Sequence, residues 1–209
     1  MNTRGKFVTF EGCEGCGKST QVRLFNEYLT KQGIPHIFTR EPGGEKISEE
    51  IRRILLDANN AEMTDECEAL LYAASRVQHL SDRVEPALAA GKLVVCDRYV
   101  DSSLAYQGYG RGLGVEFVSG INAYALKNYL PDVTIFIDLS PEAAFLRKHG
   151  ADENDRLEQA GMEFHNRVYY GFKQLAAAYP QRFVCVDGNK TPDGIFAEVL
   201  SVLKERNCL

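Results

Sequence analysis

The chain has 209 residues, 44% hydrophobic and 25% charged, a size at which one domain buries a substantial core without disulfide or metal staples. Its formal net charge of -5 argues against a broad surface for DNA or RNA, whose binding rests on Lys and Arg displacing condensed counterions, so an anionic ligand must meet cations concentrated locally. No apolar run approaches the roughly 18 residues of a membrane span, and the start MNTRGKFVTFEG carries neither an h-region nor a cleavage site, so a cytoplasmic protein is expected.

In chain order, short β-rich runs at 7–10 (FVTF), 36–39 (HIFT), 93–96 (LVVC), 133–137 (VTIFI) and 183–186 (FVCV) alternate with longer segments of helical period. No internal repeat or low-complexity linker interrupts them. The alternation predicts an α/β fold, a parallel sheet covered by helices. Apolar stripes at Val22, Phe25, Tyr28, Leu29, at Ile47, Ile51, Ile54, Leu55, and at Ile195, Val199, Val202, Leu203 mark helices expected to pack on that sheet. The six cysteines, Cys13, Cys16, Cys67, Cys96, Cys185 and Cys208, are scattered. Cys96 and Cys185 fall inside strand-like runs and are expected as small hydrophobes in a reducing compartment.

Ligands of an open parallel sheet collect at the carboxyl ends of its strands. The segments following the five runs are GCEGCGKST, REPGG, DRYVDSSLAYQG, DLSPE and DGNKTPDG. The first, Gly12-Cys13-Glu14-Gly15-Cys16-Gly17-Lys18-Ser19-Thr20, matches G-x-x-x-x-G-K-[ST] between a strand and a helix, a P-loop for ATP. Its glycines let backbone N–H groups turn toward phosphate oxygens, the helix N-terminus adds positive potential, Lys18 is expected to reach the β- and γ-phosphates and Ser19 to ligate Mg²⁺.

Other readings compete at this stage. Cys13-Glu14-Gly15-Cys16 is also a C-x-x-C, the pattern of a redox pair or half a zinc site, but no second C-x-x-C accompanies it, and a disulfide there would compete with the phosphate-binding amides. Asn189-Lys190-Thr191-Pro192-Asp193 imitates the guanine-reading N-K-x-D of a GTPase with one residue too many, and the chain lacks D-x-x-G for a switch. A kinase instead needs a second anion site, for which Arg40, Arg52, Arg76, Arg98 and Arg156 are candidates through their planar, permanently charged forks; a solvated surface charge is the alternative for each. Arg98, directly after an apolar strand, is the best placed.

Together GCEGCGKST, FTREPGG, AASRVQ, DRYVDSSLAYQG and DRLE, in this order and spacing, resemble bacterial thymidylate kinase over nearly the whole chain. The resemblance implies a nucleoside-monophosphate-kinase fold with a five-stranded parallel sheet, one domain over 1–209 with a small lid at about 147–159, a homodimer, and phosphorylation of dTMP to dTDP by MgATP without nucleic-acid or membrane partners. By similarity, Arg98 holds the dTMP phosphate and Asp97 organises Mg²⁺ through water. Tyr72 stacks on the base where many relatives carry Phe, and Arg76 meets a thymine carbonyl. Ser103 and Gln107 add polar contacts, Pro42 and Arg52 complete the substrate site, Tyr106 excludes a ribose 2′-hydroxyl, and Glu14 accepts from the 3′-hydroxyl.

Some family members carry a catalytic arginine in the P-loop, whereas Gly15 stands there in this chain, so the resemblance assigns that charge to the lid, with Arg156 of DRLE as the match. Relatives have further lid arginines where this chain has Lys148, His149 and acidic residues, which makes Arg147 and Lys148 the remaining candidates, a solvated charge run being the alternative. A deoxynucleoside kinase, which needs a general base at a 5′-hydroxyl, and a catalytically idle nucleotide-binding scaffold are the rival functions.

Overall fold

Five strands, Phe7–Glu11 (β1), His36–Arg40 (β2), Leu93–Asp97 (β3), Val133–Asp138 (β4) and Phe183–Asp187 (β5), form one parallel sheet in the order β2-β3-β1-β4-β5 in the computed structural model. The structure describes residues 4–148 and 155–209. Among these, the helices are α1 (Lys18–Lys31), α2 (Lys46–Leu56), α3 (Asp65–His79), α4 (Glu85–Ala89), α5 (Val100–Ser103), α6 (Val115–Ile121), α7 (Ala123–Asn128), α8 (Pro141–Lys148), α9 (Met162–Ala178) and α10 (Pro192–Glu205). Wide π-type turns continue α3 over Leu80–Val84 and α5 over Leu104–Gly110.

Alternation along the strands divides the core. Val8, Phe10, Val95, Ile135 and Val186 meet Phe25 and Leu29 of α1 and Ile195, Val199 and Leu203 of α10 on one face. On the other, Phe136 joins Tyr72, Leu104, Phe164 and Phe172, while Phe7, Val94 and Cys96 pack with Leu80, Val84 and Leu88. Fully burying each such large apolar side chain contributes about 1.5–3 kcal/mol.

Two expectations need correction. The α2 stripe does not lie on the sheet: α2 runs along α3, Ser48 donates to the Ser75 carbonyl at 3.0 Å, Leu55 is buried, and Ile47 and Ile54 remain 52% and 47% exposed. Helical periodicity identifies a helix with an apolar side but not what covers it. Cys185 is exposed, because β5 is an edge strand whose outward side chains meet solvent; Cys96, on central β3, is buried as expected.

The register explains where ligands must sit. Phe10 pairs with Asp97, and Arg40 pairs with Asp97 from the opposite side. The chain therefore leaves β1, β2 and β3 at one level, bringing the P-loop, Glu41-Pro42 and Arg98 to a shared rim.

Candidate active site

The P-loop turns sharply out of β1 into α1. Gly12 has φ 144°, and a Cβ there would lie 2.7 Å from Cys16 Sγ and 2.9 Å from the Ile137 carbonyl oxygen, so a larger residue would collide with its own loop and with β4. Lys18 is 7% exposed, with Nζ donating to the carbonyls of Gly12 at 3.1 Å and Cys13 at 2.9 Å. Cys13 and Cys16 are buried free thiols, and burial pushes Cys13 up to about 12, which opposes a reactive thiolate in the C-x-x-C. The GTPase resemblance also fails locally: Asn189 donates to Asp187 in a tight turn and Lys190 pairs with Glu198.

Glu14, Gly15, Gly17, Lys18, Ser19 and Thr20 line a wide cleft of about 620 Å³ together with Arg40, Arg52, Asp97, Arg98 and Arg147. Asp97 ends β3 with Oδ1 buried and without a partner, an unusual state for a carboxylate oxygen. Together with the Ser19 hydroxyl on the same cleft it offers the hard oxygen donors a hydrated Mg²⁺ accepts.

Arg98 has φ 56°, a left-handed conformation rarely adopted by residues with a side chain. Glu11, fully buried at the end of β1, supports that turn: its carboxyl group accepts from Tyr99 N–H at 2.7 Å and is hydrogen-bonded to Ser102 Oγ at 2.6 Å. The Arg98 guanidinium donates to the Gly12 carbonyl at 2.9 Å, to Ser102 Oγ at 3.2 Å and to Glu14 Oε1 at 2.5 Å, and lies 5.0 Å from the Tyr106 ring. Burial opposes its charge, but Glu14 and other acidic groups outweigh that and hold its pKa well above the ordinary value.

Behind Arg98 the cleft narrows to a slot of about 70 Å³ lined by Glu14, Pro42, Arg52, Tyr72, Arg76, Arg98, Ser103, Tyr106 and Gln107, which brings together every residue expected around the acceptor. The buried Ser103 Oγ and Tyr106 hydroxyl have no partner, so both are left to a ligand or water. Arg52 donates to the Pro42 carbonyl at 3.0 Å. Arg76 is 2% exposed: its fork donates to Glu41 at 2.7 Å, Asn122 at 2.6 Å and the Tyr99 carbonyl at 3.2 Å, leaving two of the five N–H groups that a guanidinium carries.

Arg156, expected over the phosphates, does not line the wide cleft. Its guanidinium is drawn instead to Glu68, with further bonds to the Leu55 carbonyl at 3.2 Å and to Met63 Sδ. Arg147, near the end of α8, lines the cleft and donates to the Gly188 carbonyl at 2.8 Å; the Lys148 side chain and His149 lie outside what the structure describes. Sequence reasoning missed Glu11, Glu41, Glu68 and Asn122. Their roles depend on partners 35 to 91 positions away, and only the placement of Glu11 and Glu41 beside recognised motifs gave a signal.

The thymidylate kinase family model matches residues 10–199. The chain is 46% identical to the thymidylate kinase of Clostridium novyi over 96% of this chain and 99% of the relative, and 48% identical to that of Carboxydothermus hydrogenoformans over 98% and 99%. Among solved structures, the thymidylate kinase of Ehrlichia chaffeensis superposes with a TM-score of 0.79 at 32% identity, covering 96% of this chain and 99% of that one. With a P-loop, an arginine facing it from just after the neighbouring strand and a slot behind, the chain belongs to the thymidylate kinase family, whose activity is the phosphorylation of dTMP in nucleotide biosynthesis.

Proposed function

We propose that the chain transfers the γ-phosphoryl group of ATP, bound with Mg²⁺ at the P-loop, to a phosphate oxygen of dTMP held by Arg98, with thymine in the slot beside Tyr72. The observation that carries this reading is the joining of two anion sites at one rim: P-loop and Arg98 line the same cleft, and Arg98 also lines the slot. An acceptor phosphate is already ionised at neutral pH, so no general base is needed; alignment and charge neutralisation supply the rate. Ser19 and Asp97 would hold Mg²⁺, which neutralises phosphate charge when bound. Lys18 and Arg98 both line the cleft and both donate to the Gly12 carbonyl, and Arg147 adds a further cation to its lining. Glu14 would meet the 3′-hydroxyl, Ser103 Oγ and Gln107 the base, and Tyr106 the sugar, while Arg76 has two N–H groups left for a thymine carbonyl.

The same reading makes the chain one domain with a lid around 147–159, in the cytoplasm, and a homodimer. Dimerisation is supported by an exposed apolar area spanning packed elements, Ile47 and Ile54 of α2, Leu70 and Val77 of α3 and Phe117 of α6. No described helix is long and apolar enough to cross a membrane.

ADP release measured with dTMP, thymidine, AMP and GMP, with and without Mg²⁺, tests the reaction. Turnover with dTMP alone, abolished by chelation, is expected. Turnover with thymidine but not dTMP would make it a nucleoside kinase, and inertness toward all four would make it a binding scaffold. Light scattering at micromolar protein tests the dimer, which a monomeric mass would exclude.

A further inference from the structure

Glu68 is a buried carboxylate that the phosphoryl-transfer chemistry does not use. It sits on α3 four residues before Tyr72, on the same helical face, and is 0% exposed. Burying a lone charge is costly, and Glu68 is surrounded by donors: Gln107 Nε2 at 2.9 Å, Arg111 Nη2 at 3.0 Å and Arg156 Nη2. Burial pushes its pKa up, but Arg111, Gln107 and Arg156 prevail, so it lies below the ordinary carboxylate value and Glu68 stays ionised.

The donors tie Glu68 to two walls of the slot, the turn that carries Gln107 and the segment around Arg156. Gln107 is a lining residue. Arg111 follows the π-type turn that carries Tyr106 and Gln107, pairs also with Asp65 at 3.3 Å and lies 4.7 Å from the Phe164 ring. Arg156 belongs to the segment Asp155–Leu157, whose two outer residues both line the slot. That segment is sewn to the end of α2: Asp155 bridges Asp57, and Arg156 N–H donates to the Leu56 carbonyl at 3.1 Å. Leu157, 8% exposed, packs in the same apolar cluster as Tyr72.

We propose that Glu68 is a positioning residue for the acceptor nucleotide, its carboxylate joining α3, the Gln107 wall and the Asp155–Leu157 segment into one pocket, with Arg156 as a strut of that pocket. This rests on the reading of the slot as the dTMP site. It separates two roles for Arg156. A cation on the transferring phosphoryl group acts on kcat, whereas a strut of the base pocket acts on the KM for dTMP and leaves that for ATP alone.

The experiment compares Arg156→Met, Arg156→Lys, Glu68→Gln and the double variant Glu68→Gln/Arg156→Met in the full chain, with circular dichroism to establish folding. Loss of one charge-assisted bond predicts a rise in the dTMP KM of about tenfold for Arg156→Met, with kcat and the ATP KM within about threefold, and partial recovery in Arg156→Lys. The double variant should be no worse than Glu68→Gln, because both changes remove one link. A fall in kcat of about a hundredfold or more for Arg156→Met at saturating dTMP, or an unchanged dTMP KM, overturns the proposal. If Glu68→Gln does not fold, the two Arg156 variants decide alone. Wild-type enzyme inert toward dTMP refutes the proposed function instead, whereas an active wild type with an indifferent Arg156→Met refutes only this inference.

Discussion

Arg98 donates to Glu14 at 2.5 Å, so the residue proposed to grip the acceptor phosphate and the one proposed to meet its 3′-hydroxyl are joined to each other across the P-loop. Incoming nucleotide must enter this pair. Arg98 brings more than charge, since its fork also reaches the Gly12 carbonyl and Ser102 Oγ. Arg98→Met should lower kcat/KM for dTMP by on the order of 10²–10³, since the acceptor phosphate loses its bidentate partner; Glu14→Gln, which keeps a hydrogen-bonding oxygen, should cost about tenfold. Steady-state kinetics with dTMP varied decides, and equal losses would mean the pair acts only as a unit.

The partnerless Asp97 Oδ1 predicts a metal phenotype. Asp97→Asn keeps the shape and removes the charge, so the Mg²⁺ concentration for half-maximal activity should rise by about tenfold or more while thermal unfolding in the absence of nucleotide changes little. An unaltered Mg²⁺ dependence would remove Asp97 from the metal site.

Glu11 predicts a pH dependence of stability. Burial, and then the neighbouring Asp101, push its carboxyl from 4.5 up to about 8. The native state thus binds a proton more tightly than the unfolded chain, and the associated stability is complete below about 4.5 and is lost as pH rises through about 8. Replacing it by Gln, which cannot ionise, should shift the stability difference in favour of the variant by on the order of a few kcal/mol between pH 5 and pH 9. Urea unfolding at several pH values measures this, and parallel curves for the two proteins would refute it.

Gly110 closes the π-type turn that carries Tyr106 and Gln107 against α9. An added Cβ would lie 2.7 Å from both Phe164 Cε2 and Val168 Cγ2. Gly110→Ala should therefore destabilise by about 1–3 kcal/mol, seen as a Tm lowered by several degrees, and should weaken dTMP more than ATP because the displaced turn lines only the acceptor slot.

The β-runs and the P-loop were legible because both are local: FVTF and VTIFI carry their own patterns, and GCEGCGKST names its chemistry within nine residues. The residues that line the slot could be grouped only through resemblance, since nothing near Tyr72 or Ser103 distinguishes a ligand contact from core. What stayed hidden were partnerships across the chain. Arg156 sits in a recognisable DRLE, yet its direction is decided by Glu68, 88 positions earlier. The exposed side of α2 was equally hidden, because an apolar stripe looks the same whether a sheet, a neighbouring helix or a second subunit lies over it.

The pairing of Phe10 with Asp97 has a practical corollary for ligand design. Because the proposed anchors for the two substrates follow adjacent strands bonded rung by rung, the backbone positions from which they depart are held by a peptide ladder, roughly 4.8 Å between rails. A tethered compound spanning both halves would gain from a stiff linker of matching length, and spare atoms in that linker would cost affinity rather than find slack to fill.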